Sequence, residues 1–70
     1  MTTQEKIALI EKTLGLSSGT LAEDTALDTV PAWDSLAILN LQVELTAIRP
    51  DVQFDNLYNC NTVAEVCQMF

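Results

Sequence analysis

The chain has no histidine, and its only basic residues, Lys6, Lys12 and Arg49, stand against ten acidic ones. Without histidine, a serine or cysteine nucleophile has no ready general base, and the Gly-x-Ser-x-Gly signature of serine hydrolases is also missing. An enzyme is therefore not expected. A zinc site is not expected either, because Cys60 and Cys67 lack a zinc spacing and no histidine completes a set. Two cysteines are too few for the disulfide framework of a small secreted domain. Cys67 reads as a small buried hydrophobe and Cys60 as a loop or helix-edge thiol. The net charge of −7 repels phosphate backbones and anionic membranes, so neither nucleic acid nor a membrane is an expected partner. No apolar run approaches the length of a membrane span, and the polar start from Met1 to Lys6 does not look like a signal peptide. These absences predict a soluble, cytoplasmic chain.

Glycine, proline and aromatic residues are also scarce: two, two and four, against 49% hydrophobic residues overall. The apolar set is mostly Leu, Ile, Val and Ala, which favours packed helices over a small barrel or sandwich. Seventy residues make one domain, 1–70, and a chain this short buries only roughly 60% of its unfolded surface. One modest core is expected, with little room for an enclosed active site. The predicted class is all-α: three main helices and one short one, with a long ordered loop after the first.

The first helix is expected to begin near Thr2, where Thr2 and Glu5 have capping-box spacing. Ile7, Ile10 and Leu14 recur at helical intervals, and Gly15 suits the left-handed residue that ends many helices. From Gly15 to Asp34 no long periodic segment follows. Loops of this length inside compact domains are uncommon and often functional. Leu16, Leu21, Leu27 and Val30 predict an ordered wrap pinned to the core, with a short helical turn around Leu21–Asp24. Asp34 is a good N-cap for a second helix that starts at Ser35 and stops before Pro50. A short turn of helix is expected around Asp55–Asn59. The last helix opens at Thr62, with Glu65 again at capping-box spacing, and presents Val63, Val66, Cys67 and Phe70 inward.

The second helix carries two apolar stripes. Ile38, Leu41, Leu45 and Ile48 form the longer one, expected to face the core. Leu36, Leu39 and Val43 form another on roughly the opposite side, expected to be partly exposed beside Ser35. An exposed apolar strip next to a polar residue marks a partner surface. The plainer alternative is a central helix covered on both sides by the long loop.

The segment Trp33-Asp34-Ser35-Leu36, with Asp-Ser-Leu opening the second helix, resembles the modification motif of the acyl carrier and peptidyl carrier family. Chain length, acidity, the long first loop and a final helix opened by Thr62-Val63 extend that resemblance over essentially the whole chain. The resemblance implies an acyl-carrier-like four-helix bundle, a single monomeric carrier domain with Ser35 joined through a phosphodiester to 4′-phosphopantetheine, whose thiol holds an acyl, polyketide or aminoacyl cargo as a thioester. It further implies recognition of Asp34 by a phosphopantetheinyl transferase, beside its capping role. Leu36, Leu39 and Val43 align with positions that meet partner enzymes: acyl- or adenylate-forming ligases, synthases or transferases, which for an acidic carrier would present basic patches. Trp33 reads as a packing anchor for the loop.

One departure from the family pattern bears on the partners. Fatty-acid carriers have a strongly acidic second helix, whereas here only Glu44 is negative on that helix, and Thr46 and Ala47 stand where acids are often found. Glu23, Asp24, Asp28 and Asp34 in the preceding loop offer a compensating negative field. The departure points away from the usual fatty-acid synthase partners and toward a specialised pathway or a less charge-driven interface. The competing reading is an unmodified helical interaction module of the same fold.

Overall fold

The computed structural model describes residues 1–70. Three α-helices, α1 (Thr3–Leu14), α2 (Ser35–Ile48) and α3 (Val63–Cys67), are joined through two 3₁₀ turns, η1 (Leu27–Thr29) and η2 (Asp55–Asn59). There are no strands, only an isolated antiparallel bridge between Ala26 and Thr62. Twelve buried apolar residues, drawn from every element and from the first loop, form one core.

Local chemistry sets the helix ends. The Thr2 hydroxyl accepts the Glu5 N–H at 3.1 Å and the Glu5 carboxylate accepts the Thr2 N–H at 3.0 Å, a complete capping box. That backbone donor holds the Glu5 carboxyl below its ordinary range. At the other end of α1, Gly15 takes φ 74°, a left-handed geometry that strains any residue with a Cβ, and its N–H reaches the carbonyls of Glu11 and Lys12.

The segment from Leu16 to Asp34 is an ordered wrap. Leu21 and Leu27 are buried in the core, and Leu16 and Val30 pack on it half-buried. Its main polar anchor is Glu11, a carboxylate only 3% exposed, which accepts the Leu21 N–H at 2.9 Å. The other side of the wrap is fixed to the start of α3. Leu27 N–H donates to Asn61 O at 2.8 Å, Val63 N–H to Thr25 O at 3.1 Å, and Ala64 N–H to Glu23 O at 2.9 Å. The helical turn expected at Leu21–Asp24 lies instead at Leu27–Thr29. Around Ala22–Thr25 the chain makes a turn closed by Thr25, whose side-chain oxygen accepts the Ala22 N–H at 2.8 Å. A threonine that satisfies a nearby backbone donor in this way competes with helix.

The last helix is shorter than its apolar pattern suggests. Regular α3 ends at Cys67, so the fold has two long helices rather than three. Val63, Val66 and Cys67 are buried, but Phe70 is only half-buried. Lys6 ties this end to α1: its ammonium donates to Cys67 O at 3.0 Å and to Phe70 O, and sits 5.3 Å from the centre of the Phe70 ring. Thr62 caps α3 by accepting the Glu65 N–H at 3.4 Å. The reciprocal half of the expected box is displaced, because the Glu65 carboxylate accepts the Asn61 N–H at 2.9 Å, one residue further out.

Candidate functional site

Helix α2 positions the site. A turn through Pro31 and Ala32, closed by Trp33 N–H to Val30 O at 3.0 Å, brings the chain to Asp34 in extended geometry. The Asp34 carboxylate then accepts the Ala37 N–H at 2.8 Å, and its carbonyl accepts the Ile38 N–H at 2.9 Å. Ser35 is therefore the first helical residue, and it is exposed. The N–H groups of Ser35 and Leu36 have no backbone or side-chain acceptor, so the start of the helix offers two open donors beside the hydroxyl. Trp33 is half-buried against the core and anchors the loop that delivers Ser35.

The two stripes of α2 separate as expected, with one correction. Ile38, Leu41 and Leu45 are buried, whereas Leu36, Leu39 and Val43 are 67%, 51% and 64% exposed. At 100° per residue the centres of the two sets lie roughly 160° apart. Ile48 does not join the core and is 42% exposed. Its angle is not the cause, since seven residues place it within roughly 20° of Leu41. It is the last residue of the helix, and the end of α2 runs past its packing partners. On the flank between the stripes, Gln42 Nε2 donates to Phe54 O at 3.0 Å, which holds the η2 segment against α2.

Four acids stand in the loop that leads to Ser35. Glu23, Asp24, Asp28 and Asp34 are all exposed, and Glu44 is the sole acid on α2. Histidine is absent from the chain, and one oxygen of the neighbouring Asp34 carboxylate accepts the Ala37 amide N–H. Neither cysteine is an activated nucleophile. Burial pushes the Cys60 thiol up, with help from the Glu65 carboxylate. Burial also raises Cys67, where Lys6 acts against it and Glu23 adds to it. No group of three or more His, Cys, Asp or Glu side chains is placed to hold a metal ion.

Two open clefts adjoin the site. One of about 380 Å³ lies between α1 and α2, where Leu9, Lys12 and Thr13 face Asn40, Val43 and Glu44. The other, about 570 Å³, is bordered by Trp33 and Tyr58. Sequence reasoning missed Glu11, Gln42 and Lys6, the three polar side chains that fix the loop, η2 and the C-terminal residues around α2.

Fold and geometry thus define a small all-α protein with an exposed serine at a helix start and an apolar strip beside it. No helix is long and apolar enough to cross a membrane. None of the protein-family models, curated proteins or solved structures compared with the chain matches it.

Proposed function

We propose that this chain is an acyl carrier protein that bears 4′-phosphopantetheine on Ser35. The observation that carries the reading is the placement of Ser35: exposed at the first position of α2, next to the exposed strip Leu36, Leu39 and Val43. The residues fit the group. A phosphodiester on the Ser35 oxygen meets the positive end of the helix dipole and the open N–H groups of Ser35 and Leu36. Asp34, by contrast, adds a like charge beside it, so the attachment relies on the covalent bond and not on an anion pocket.

The arm supplies a flexible thiol that holds an acyl, polyketide or aminoacyl group as a thioester. Cys60 and Cys67 are unsuited to that task, being buried or half-buried with raised thiol pKa values. Attachment would run from coenzyme A. The Ser35 oxygen bonds to the phosphorus next to the pantetheine, the pyrophosphate P–O bond breaks, and adenosine bisphosphate leaves. The serine proton passes to a base on the phosphopantetheinyl transferase, because this chain has no histidine to take it. The exposed strip then receives the ligases, synthases or transferases that load and use the cargo, and basic patches on those enzymes answer the acidic loop.

The test is incubation with coenzyme A, magnesium and a broad-specificity phosphopantetheinyl transferase, followed by intact mass and peptide mapping. One phosphopantetheine on Ser35, absent in Ser35→Ala, is the expected result. A folded protein that gains no mass points instead to an unmodified interaction module or to a carrier served by its own dedicated transferase.

A further inference from the structure

The acids of this chain are unevenly spread, and the face that carries the exposed row has almost none. Glu44 is the sole acid on α2, and the second half of α1 exposes only Lys12 as a charge, since Glu11 is buried. On a chain of net charge −7 this face is locally neutral. Between the two helices lies the cleft of about 380 Å³, with Leu9, Lys12 and Thr13 on one wall and Asn40, Val43 and Glu44 on the other. Val43 belongs both to the cleft and to the exposed row, so the two form one continuous surface.

Lys12 is also the one cation left free. Lys6 donates to the carbonyls of Cys67 and Phe70, and Arg49 pairs with Asp51 at 3.2 Å. The Lys12 ammonium makes no ion pair, although Glu44 stands on the opposite wall with a carboxylate equally unengaged. A partner with a basic patch finds little to hold here: one acid, with a cation facing it. A surface with one charge of each sign on opposite walls is instead complementary to itself. In a two-fold dimer the same patch is used by both copies, and its contacts are reciprocal. With the two-fold axis along the cleft, α1 of each copy lies on α2 of the other. Lys12 then meets Glu44 of the second copy, Glu44 meets its Lys12, and Leu9 and Val43 close over each other between these pairs.

We propose that the α1–α2 face is a self-association surface whose occupant is a second copy of this chain. The inference does not rest on the carrier reading. The molecule measures 28 × 25 × 19 Å, and only part of one face is apolar. The dimer therefore buries less than the roughly 1,200 Å² at which standard interfaces begin, and it is weak and reversible. If the chain is a carrier, self-association and partner enzymes compete for the row Leu36, Leu39 and Val43.

Sedimentation equilibrium of the unmodified chain, from low-micromolar to millimolar concentration, is expected to show a reversible monomer–dimer equilibrium. Lys12→Glu and Glu44→Lys change exposed side chains, and circular dichroism checks that each variant is folded. Each is expected to raise the dissociation constant about tenfold, because a single reversal sets two like-charged pairs against each other across the two-fold axis. Mixed in equal amounts, the two variants are expected to form a heterodimer of near wild-type strength, since both pairs are restored with their signs exchanged. Net charge alone predicts the opposite for Glu44→Lys, which is less negative than the wild type and would self-associate more tightly. A chain that stays monomeric throughout overturns the proposal. So does a dimer that neither reversal weakens, or a mixture no stronger than its components. Should either reversal fail to fold, Val43→Glu carries the test: a carboxylate at the centre of the face is expected to abolish the dimer, and an undiminished dimer there overturns the proposal.

Discussion

Ile38, Leu41 and Leu45 are the same kinds of side chain as Leu36, Leu39 and Val43, and all six sit within three turns of α2. The first three are buried while the second three are more than half exposed. Propensity and hydrophobicity cannot separate the sets; only the supply of packing partners can. A domain of this size has α1 and η2 to set against one face of α2, with α3 and the first loop completing the core, and nothing remains for the other. The buried row fixes where the helix sits. The exposed row leaves apolar surface in water next to an exposed serine, which is the arrangement a transient partner surface needs.

The largest expected effect comes from breaking the buried row. Leu41→Ala should cost roughly 2–5 kcal/mol, the transfer term plus the cavity left among side chains that are fully enclosed. Urea unfolding measures it, and an unchanged midpoint would mean that the two faces had been assigned the wrong way round.

Next is the polar anchor that lets the loop cover the buried side. Glu11→Ala removes the acceptor for the Leu21 N–H in the core and should cost roughly 1–3 kcal/mol, the penalty for an unmade buried hydrogen bond. Glu11→Gln keeps an acceptor oxygen and should lose less. Hydrogen exchange of the Leu21 amide gives the direct readout; protection that persists in Glu11→Ala would leave the anchor without a role.

A smaller effect is expected at the start of the helix that carries both rows. Asp34→Ala leaves the Ala37 amide without its cap and should cost about 1 kcal/mol. Asp34→Asn preserves the accepting oxygen and should restore most of that stability. The same pair separates capping from recognition: if Asn restores stability but not modification by the transferase, the charge of Asp34 is being read by the enzyme.

Much of this was legible in the sequence, and the unread parts share a cause. Thr2, Gly15, Asp34 and Thr62 each act through neighbours within a few residues, so their spacing announced the helix ends. Both rows of α2 followed from angular spacing alone. The extent of α3 did not, because Val63 to Phe70 keeps a helical apolar period whether or not the backbone stays helical. Ile48 was misplaced because periodicity gives an angle and says nothing of where packing partners run out. Glu11 lies four residues after Ile7 and next to Ile10, on the buried face of α1, which marks it as a buried acid in need of a partner. What accepts or donates there is a contact ten residues away at Leu21, and no local rule predicts it. The exposed serine could be located by its cap, but the cleft beside it is built by bonds from Leu27 to Asn61 and from Thr25 to Val63, pairings that only the folded chain brings together.

The smallest expected effect on stability is the most informative about the exposed row. Leu39→Glu places a charge where the side chain is already half in water, so no buried group is stranded and no cavity forms. Surface changes of that kind usually stay within about 0.5 kcal/mol, and the helical circular dichroism should be unchanged. The added carboxylate nevertheless puts a desolvation cost in the middle of any apolar contact made by Leu36, Leu39 and Val43. Loading of Ser35 by the transferase, or transfer by a downstream partner, should therefore slow while the fold is intact. A variant that unfolds readily would place Leu39 in the core. One that is stable and handled at the wild-type rate would leave the strip as surface without a partner, and the unequal fates of the two rows would then be a consequence of small size alone.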